Sequence, residues 1–189
     1  EEVFNHPLLQ DLALFQYELS EYEKHYLDDL QKNYSLYGGE DWNEVELENK
    51  FISPLIVFSK MDSRHFGYFL ERELSATIGD YEIFGRVDGM IATGFRRPKK
   101  PYFCLHEYKK ESDPSGDPRG QVLIAMLAAQ EMNQDGKPIY GVYVTRKLWR
   151  FMVLTGTTYA FSKTYVADQE NIGSIFKVLK GLRHVIERI

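Results

Sequence analysis

The chain has 189 residues, 43% hydrophobic and 27% charged, with a formal net charge of −5 at pH 7. That length suits one domain, because a single core usually organises roughly 100 to 200 residues, and no apolar run approaches the ~18 residues that would cross a bilayer. The acidic surplus argues against a protein that coats nucleic acid by bulk attraction, since such binding is largely Lys and Arg neutralising phosphates.

The first ten residues, EEVFNHPLLQ, lack a basic segment leading into an apolar stretch. No secretory signal is expected, and the expected location is cytoplasmic, away from membranes. Residues 8–33 carry Leu12, Phe15, Leu19, Tyr22, Tyr26 and Leu30 at helical spacing, which predicts helix with breaks, ended by Gly38-Gly39. A second helix is predicted from near Asp41, which can cap it, through WNEVELENKFI to Pro54, where it either stops or continues with a kink. Residues 66–78 mix aromatic and β-branched side chains, and YEIFGRVDGMIA alternates, so the two are expected to form an antiparallel hairpin.

After the polar turn GFRRPKK, the segment PYFCLHEYKK reads as a third strand. Its Cys104, the only cysteine, has no partner for a disulfide or a zinc site and is expected to be a small buried residue. The turn-rich ESDPSGDP leads into RGQVLIAMLAAQEMN, apolar on nearly every side and hence a helix buried against a sheet. Then IYGVYVT, WRFMVLT and TYAFSKTYV predict three strands, and a last helix is expected from about Asp168 to Ile189. Its inner face would be Ile172, Ile175, Phe176, Leu179, Leu182 and Ile186. The order implies one α/β domain over residues 1–189, with a helical N-terminal extension over 1–40 and a central mixed β-sheet covered by helices on both faces.

The chemistry is concentrated in two short segments. Residues two apart in a strand share a face, so Glu107 and Lys109 should point together, and His106 and Tyr108 away from them. A hairpin can bring Asp88, in GRVDGM, beside Glu107. Two carboxylates with nearby water are what a hard ion such as Mg²⁺ takes from a protein. A surface ion pair between Glu107 and Lys109, worth ~0 to 1 kcal/mol, accounts poorly for two charges in so apolar a strand. His106 is expected to be structural, and His6, His25, His65 and His184 show no metal-ligand spacing. Arg96-Arg97, Lys99-Lys100, Lys110, Arg119 and Arg146-Lys147 fall in turns near these strands, either as a solvated face or as phosphate contacts.

A helix Glu, then Asp88, then Glu107-x-Lys109, then a helix opening with Gln121, resembles the PD-(D/E)xK nuclease superfamily. NEVELENKFISPLI, GRVDGMI, PYFCLHEYKKE, DPRGQVLIAMLAAQ and KPIYGVYVTRKLWRF are together similar to a group of mostly bacterial nuclease-like proteins of unassigned role, over roughly residues 41–165. The resemblance implies a restriction-endonuclease-like sheet and a nuclease-like core over 41–189. Glu44 stands in register with the family's helix glutamate. Type I restriction subunits commonly carry a basic residue where this chain has Glu48, and the recombination-nuclease variant carries Tyr four residues after the Gln, where this chain has Ala125.

On that resemblance the expected function is Mg²⁺- or Mn²⁺-dependent hydrolysis of nucleic-acid phosphodiesters, DNA first, in defence against foreign DNA or in repair. Asp88, Glu107 and the Tyr108 carbonyl would hold the ion. Lys109 would orient the attacking water or meet the charge growing on phosphate, and Glu44 could reach the same ion. Gln121 would contact the ion's water shell or the substrate, or serve only as a hydrogen-bond partner at its helix N-terminus. The rival readings are a weakly active nucleic-acid-binding or assembly module of the same fold, and a plain α/β interaction protein. Oligomeric state is left open, a homodimer included.

Overall fold

The computed structural model describes residues 1–109, 117–168 and 171–188. The turn predicted at ESDPSGDP and the basic residue Lys110 fall largely or wholly outside them. Pro7 opens α1 (Pro7–Ala13) at a first-turn position, where its missing N–H costs nothing. Helix α2 (Glu21–Leu36) starts on a reciprocal cap, in which Ser20 accepts from the Glu23 N–H and the Glu23 carboxylate accepts from the Ser20 N–H at 2.9 Å. The break at residues 14–20 resets the helical phase: Leu27, Leu30 and Tyr34 are buried, whereas Tyr22, in the same predicted spacing as Leu30, is exposed.

Gly38 adopts a left-handed conformation (φ +69°), and Gly39–Asp41 form a short 3₁₀ turn. Asp41 therefore does not cap the next helix. Asn43 does, through a second reciprocal cap with Glu46. The helix also runs past Pro54: α3 (Glu44–Leu47) widens into a π turn over Glu48–Ile52 and resumes as α4 (Ser53–Phe58). Proline lacks an N–H, and its ring crowds the carbonyl four residues back. A wider turn just ahead of it gives the ring room without ending the helix.

The strands follow as β1 (Phe66–Ile78), β2 (Tyr81–Thr93) and β3 (Lys99–Lys109), then helix α5 (Pro118–Asn133), β4 (Ile139–Thr145), β5 (Leu148–Thr155), β6 (Thr158–Phe161), β7 (Tyr165–Val166) and helix α6 (Ile172–Ile186). Among the described residues they make a seven-stranded sheet ordered β1-β2-β3-β4-β5-β6, with β7 also pairing β5. The β3–β4 pair is parallel and the others are antiparallel, so α5 is the crossover a parallel pair requires. The stretch TYAFSKTYV is two short strands rather than one, although Ser162 between them still bonds β5 by accepting from the Phe151 N–H at 3.0 Å.

Helix α5 covers one face with Val122, Met126 and Ala129 against Val87, Met90, Leu105 and Met152. The approach is close: a Cβ on Gly141 of β4 would lie 2.5 Å from the Met126 sulfur. The other face takes α1, α2, α4 and α6, including the whole predicted inner face of α6. Cys104 is buried, as its strand position predicted. Among the described residues no helix is long and apolar enough to cross a membrane.

Candidate functional site

The strand alternation that places side chains breaks at one rung. Residues facing α5 run from Phe69 to Leu74 in β1 and from Val87 to Met90 in β2. Both are odd separations, which in a regular strand would put the pair on opposite faces. Between the pairs Leu70–Gly89 and Arg72–Val87 lie Glu71 and Asp88, which the β1–β2 register skips. Glu71 has φ +53°, a conformation costly for a glutamate, of order 1 kcal/mol or more, and concentrated at functional sites. The β2–β3 ladder ends at Gly89–His106. Beyond it the Asp88 carboxylate takes over the role of a backbone acceptor, receiving the Tyr108 N–H at 2.5 Å.

Across from Asp88, the period of two brings Glu107 and Lys109 together as expected. The ammonium lies 3.0 Å from the Glu107 carboxylate and 3.2 Å from that of Glu44 at the start of α3. Four of the expected site residues, Glu44, Asp88, Glu107 and Lys109, thus meet at one end of the sheet. Gln121, in the first turn of α5, shares with Glu107 a cavity of about 300 Å³. Tyr108 contributes its N–H to Asp88, while its side chain turns into the opposite core.

That opposite face carries a buried polar chain. His106 Nδ1 and the Tyr108 hydroxyl lie 2.9 Å apart, Tyr108 and Tyr68 hydroxyls 2.9 Å apart, and Tyr68 meets the Ser53 hydroxyl of α4 at 3.3 Å. His106 is therefore structural, as its face predicted. Burial pushes its imidazole down to about 3, so the ring is neutral. The chain also explains Gly89, next to Asp88: a Cβ there would lie 2.9 Å from the Tyr68 ring.

Burial, partly offset by the Tyr108 N–H and Lys109, lifts the Asp88 carboxyl to about 6. Burial and the neighbouring Asp88 lift Glu107 to about 7. Burial lowers an ammonium, but at Lys109 the contacts with Glu107 and Glu44 prevail and hold it above the usual lysine range. Glu48, four residues after Glu44 and half-buried, is raised to about 7 by burial and by Asp88, Glu71 and Glu44. It was not singled out as a site residue. Its signal was its spacing, since residues four apart share a helix face.

These raised carboxyls predict a pH dependence. The folded protein retains protons on Asp88, Glu107 and Glu48 that the unfolded chain loses near its ordinary values of 3.8 and 4.5. Their contribution to stability is complete below those values and fades as pH rises through about 6 to 7. Urea unfolding in chelator should show stability falling between pH 5 and 8 by on the order of 1–2 kcal/mol, less than independent groups would give because the three are coupled. Glu107→Gln should flatten the slope. Stability that rises over this interval in the native sequence would contradict the assignment.

The basic residues divide. Lys99 and Lys100 open β3 at the end away from Lys109, roughly 30 Å along the strand at about 3.3 Å per residue, and Arg96-Arg97 lie in the turn before it. These four do not surround the site. Arg119 pairs with Glu2, away from the acidic group. Arg146-Lys147 are at the site's end of the sheet: the Arg146 N–H donates to the Lys109 carbonyl, and both side chains pair with Glu40.

Among the described residues no three or more His, Cys, Asp or Glu are arranged to cage an ion by themselves. A hard divalent cation asks for less, one or two carboxylates plus water. Asp88, half-buried, and Glu107, buried, repel each other beside a single ammonium, and they are a donor set that fits it.

No protein-family description matches the chain, and no curated protein matches it. It has a distant similarity to a solved structure described as "Crystal structure of SSO0001", at 12% identity over 97% of this chain and 76% of that one. The TM-score of 0.22 is too low to support an argument about fold or function.

Proposed function

We propose that this chain is a metal-dependent nuclease that hydrolyses nucleic-acid phosphodiesters, with DNA in the cytoplasm as its substrate, in defence or repair. The observation that carries the reading is the convergence of Asp88, Glu107 and Lys109 at one end of the sheet, with both acids lifted toward neutrality. The order of helix, hairpin, Glu-x-Lys strand, crossover helix and parallel strand supports a restriction-endonuclease-like core over 41–189. Asp88, Glu107 and the Tyr108 carbonyl would hold Mg²⁺ or Mn²⁺, and Glu44 is in reach of the same position. When bound, the ion supplies Lewis acidity toward phosphate and acidifies a water.

This chain's residues do the rest. Lys109 stays protonated at neutral pH and is therefore a donor, not a base: it orients the attacking water or receives the charge growing on phosphate oxygens. Gln121, beside Glu107, contacts the substrate or the waters around the ion. Glu48 and Glu71 add negative charge that repels phosphate, which favours a second reading as a weakly active binding or assembly module. The two are separated by incubating the protein with single-stranded, duplex and branched DNAs and RNAs in Mg²⁺ and in Mn²⁺. Metal-dependent cleavage is expected. Binding without cleavage across the panel would replace the enzyme with the module.

A further inference from the structure

We propose that the cavity beside Glu107 receives one unpaired nucleobase, so that the substrate presented to the site is a single strand or a strand end. The inference rests on the nuclease reading above and specifies its substrate. The cavity, about 300 Å³, opens between α5 and the outer half of the β1–β2 ribbon. Leu74 and Ile83 wall it from the ribbon, Ile124 and Ala125 from the helix, and Glu107 and Gln121 stand at its polar end. The size is at the lower end of small-molecule sites, and the mixture of apolar walls with few polar groups is typical of them. Two details keep it open. A Cβ on Gly85 would meet nothing within 4 Å, and Ala125 leaves space that a larger side chain would take.

The edge of β2 gives the cavity its recognition chemistry. Strand β2 pairs β1 along its length but pairs β3 only from Gly89 onward. Over residues 83–87, alternate backbone N–H and C=O groups on the β3 side thus have no strand partner among the described residues, and they can read the edge of a base. Chemistry selects which part of a nucleotide enters. A neutral base suits the apolar walls and the Gln121 amide, the Arg86 guanidinium that also lines the cavity is paired with Glu71 at 2.9 Å, and phosphate is drawn instead to the ion that Asp88 and Glu107 would hold. The phosphate then lies on the Lys109 side of Glu107, next to the reacting position. A base inside a duplex cannot enter without leaving its stack.

The test reads binding apart from cleavage. In the Lys109→Met protein with Mg²⁺, a labelled single-stranded oligonucleotide is compared by fluorescence anisotropy with a series carrying one abasic nucleotide at each position. One abasic position should weaken binding about 10- to 150-fold, as for withdrawing one large group from apolar walls. Gly85→Leu, placed in open space, or Ile124→Trp, at a half-exposed position, should fill the cavity and abolish that difference while the melting temperature stays near that of the parent. Equal binding of every abasic strand, or discrimination that survives both filled variants, overturns the proposal. The nuclease reading has its own readout. Cleavage by the native protein with no abasic discrimination removes the cavity and leaves the enzyme. Base-dependent binding with no cleavage in any metal removes the enzyme and leaves the cavity.

Discussion

Lys109→Met is expected to reduce cleavage about 100- to 1000-fold, or ~2.7 to 4 kcal/mol of barrier, the usual cost of losing one donor aimed at developing charge. The side chain sits between Glu107 and Glu44 at 3.0 and 3.2 Å. Methionine keeps much of its length and apolar contact while removing the ammonium. The fold should persist, because the backbone of β3 is held by β4 and by the Asp88 acceptor. The loss should fall on turnover more than on substrate affinity, since the interaction strengthens as charge builds on phosphate. Cleavage at the native rate in the variant would mean that Lys109 is not part of the chemistry.

A second large effect concerns stability. Ala129 is fully buried on the α5 face that packs against the sheet, so Ala129→Glu places an unpaired charge in an apolar layer. The cost should be about 3–5 kcal/mol. At ~2 to 4 °C per kcal/mol for a chain of this size, the melting temperature should fall by roughly 10 °C. By contrast, Ile124→Glu, five residues earlier and on the half-exposed side, should move it by only a few degrees. A similar melting temperature for both variants and the native protein would show that α5 does not cover the sheet.

The parts of the site that follow local periodicity were legible in the sequence. Glu107 and Lys109 meet because strands repeat every two residues, and His106 falls on the other face for the same reason. The buried face of α6 follows from the helical repeat. What was not legible depends on exceptions to those periods. The alternation of YEIFGRVDGMIA stops at Asp88 because Glu71, on the neighbouring strand, adopts a left-handed conformation, and no local preference of glutamate announces it. Pro54 suggested an end or a kink, and the chain instead absorbed it in a π turn. That continuity keeps Glu44 and Glu48 on one helix beside Asp88. The helical spacing through Tyr22 ran across residues 14–20, where the helix is interrupted, and Tyr22 is exposed. The basic residues were adjacent to the motif in sequence, but β3 is long enough to carry Lys99 and Lys100 to the far end of the sheet.

The central claim, that Asp88 and Glu107 are metal ligands, is tested most directly by calorimetric titration with Mn²⁺ of the native protein, Asp88→Asn and Glu107→Gln. Each carboxylate supplies charge the ion needs in place of water, so each variant should bind at least about tenfold more weakly, a difference of ~1.4 kcal/mol. Native affinity in both variants would contradict the account.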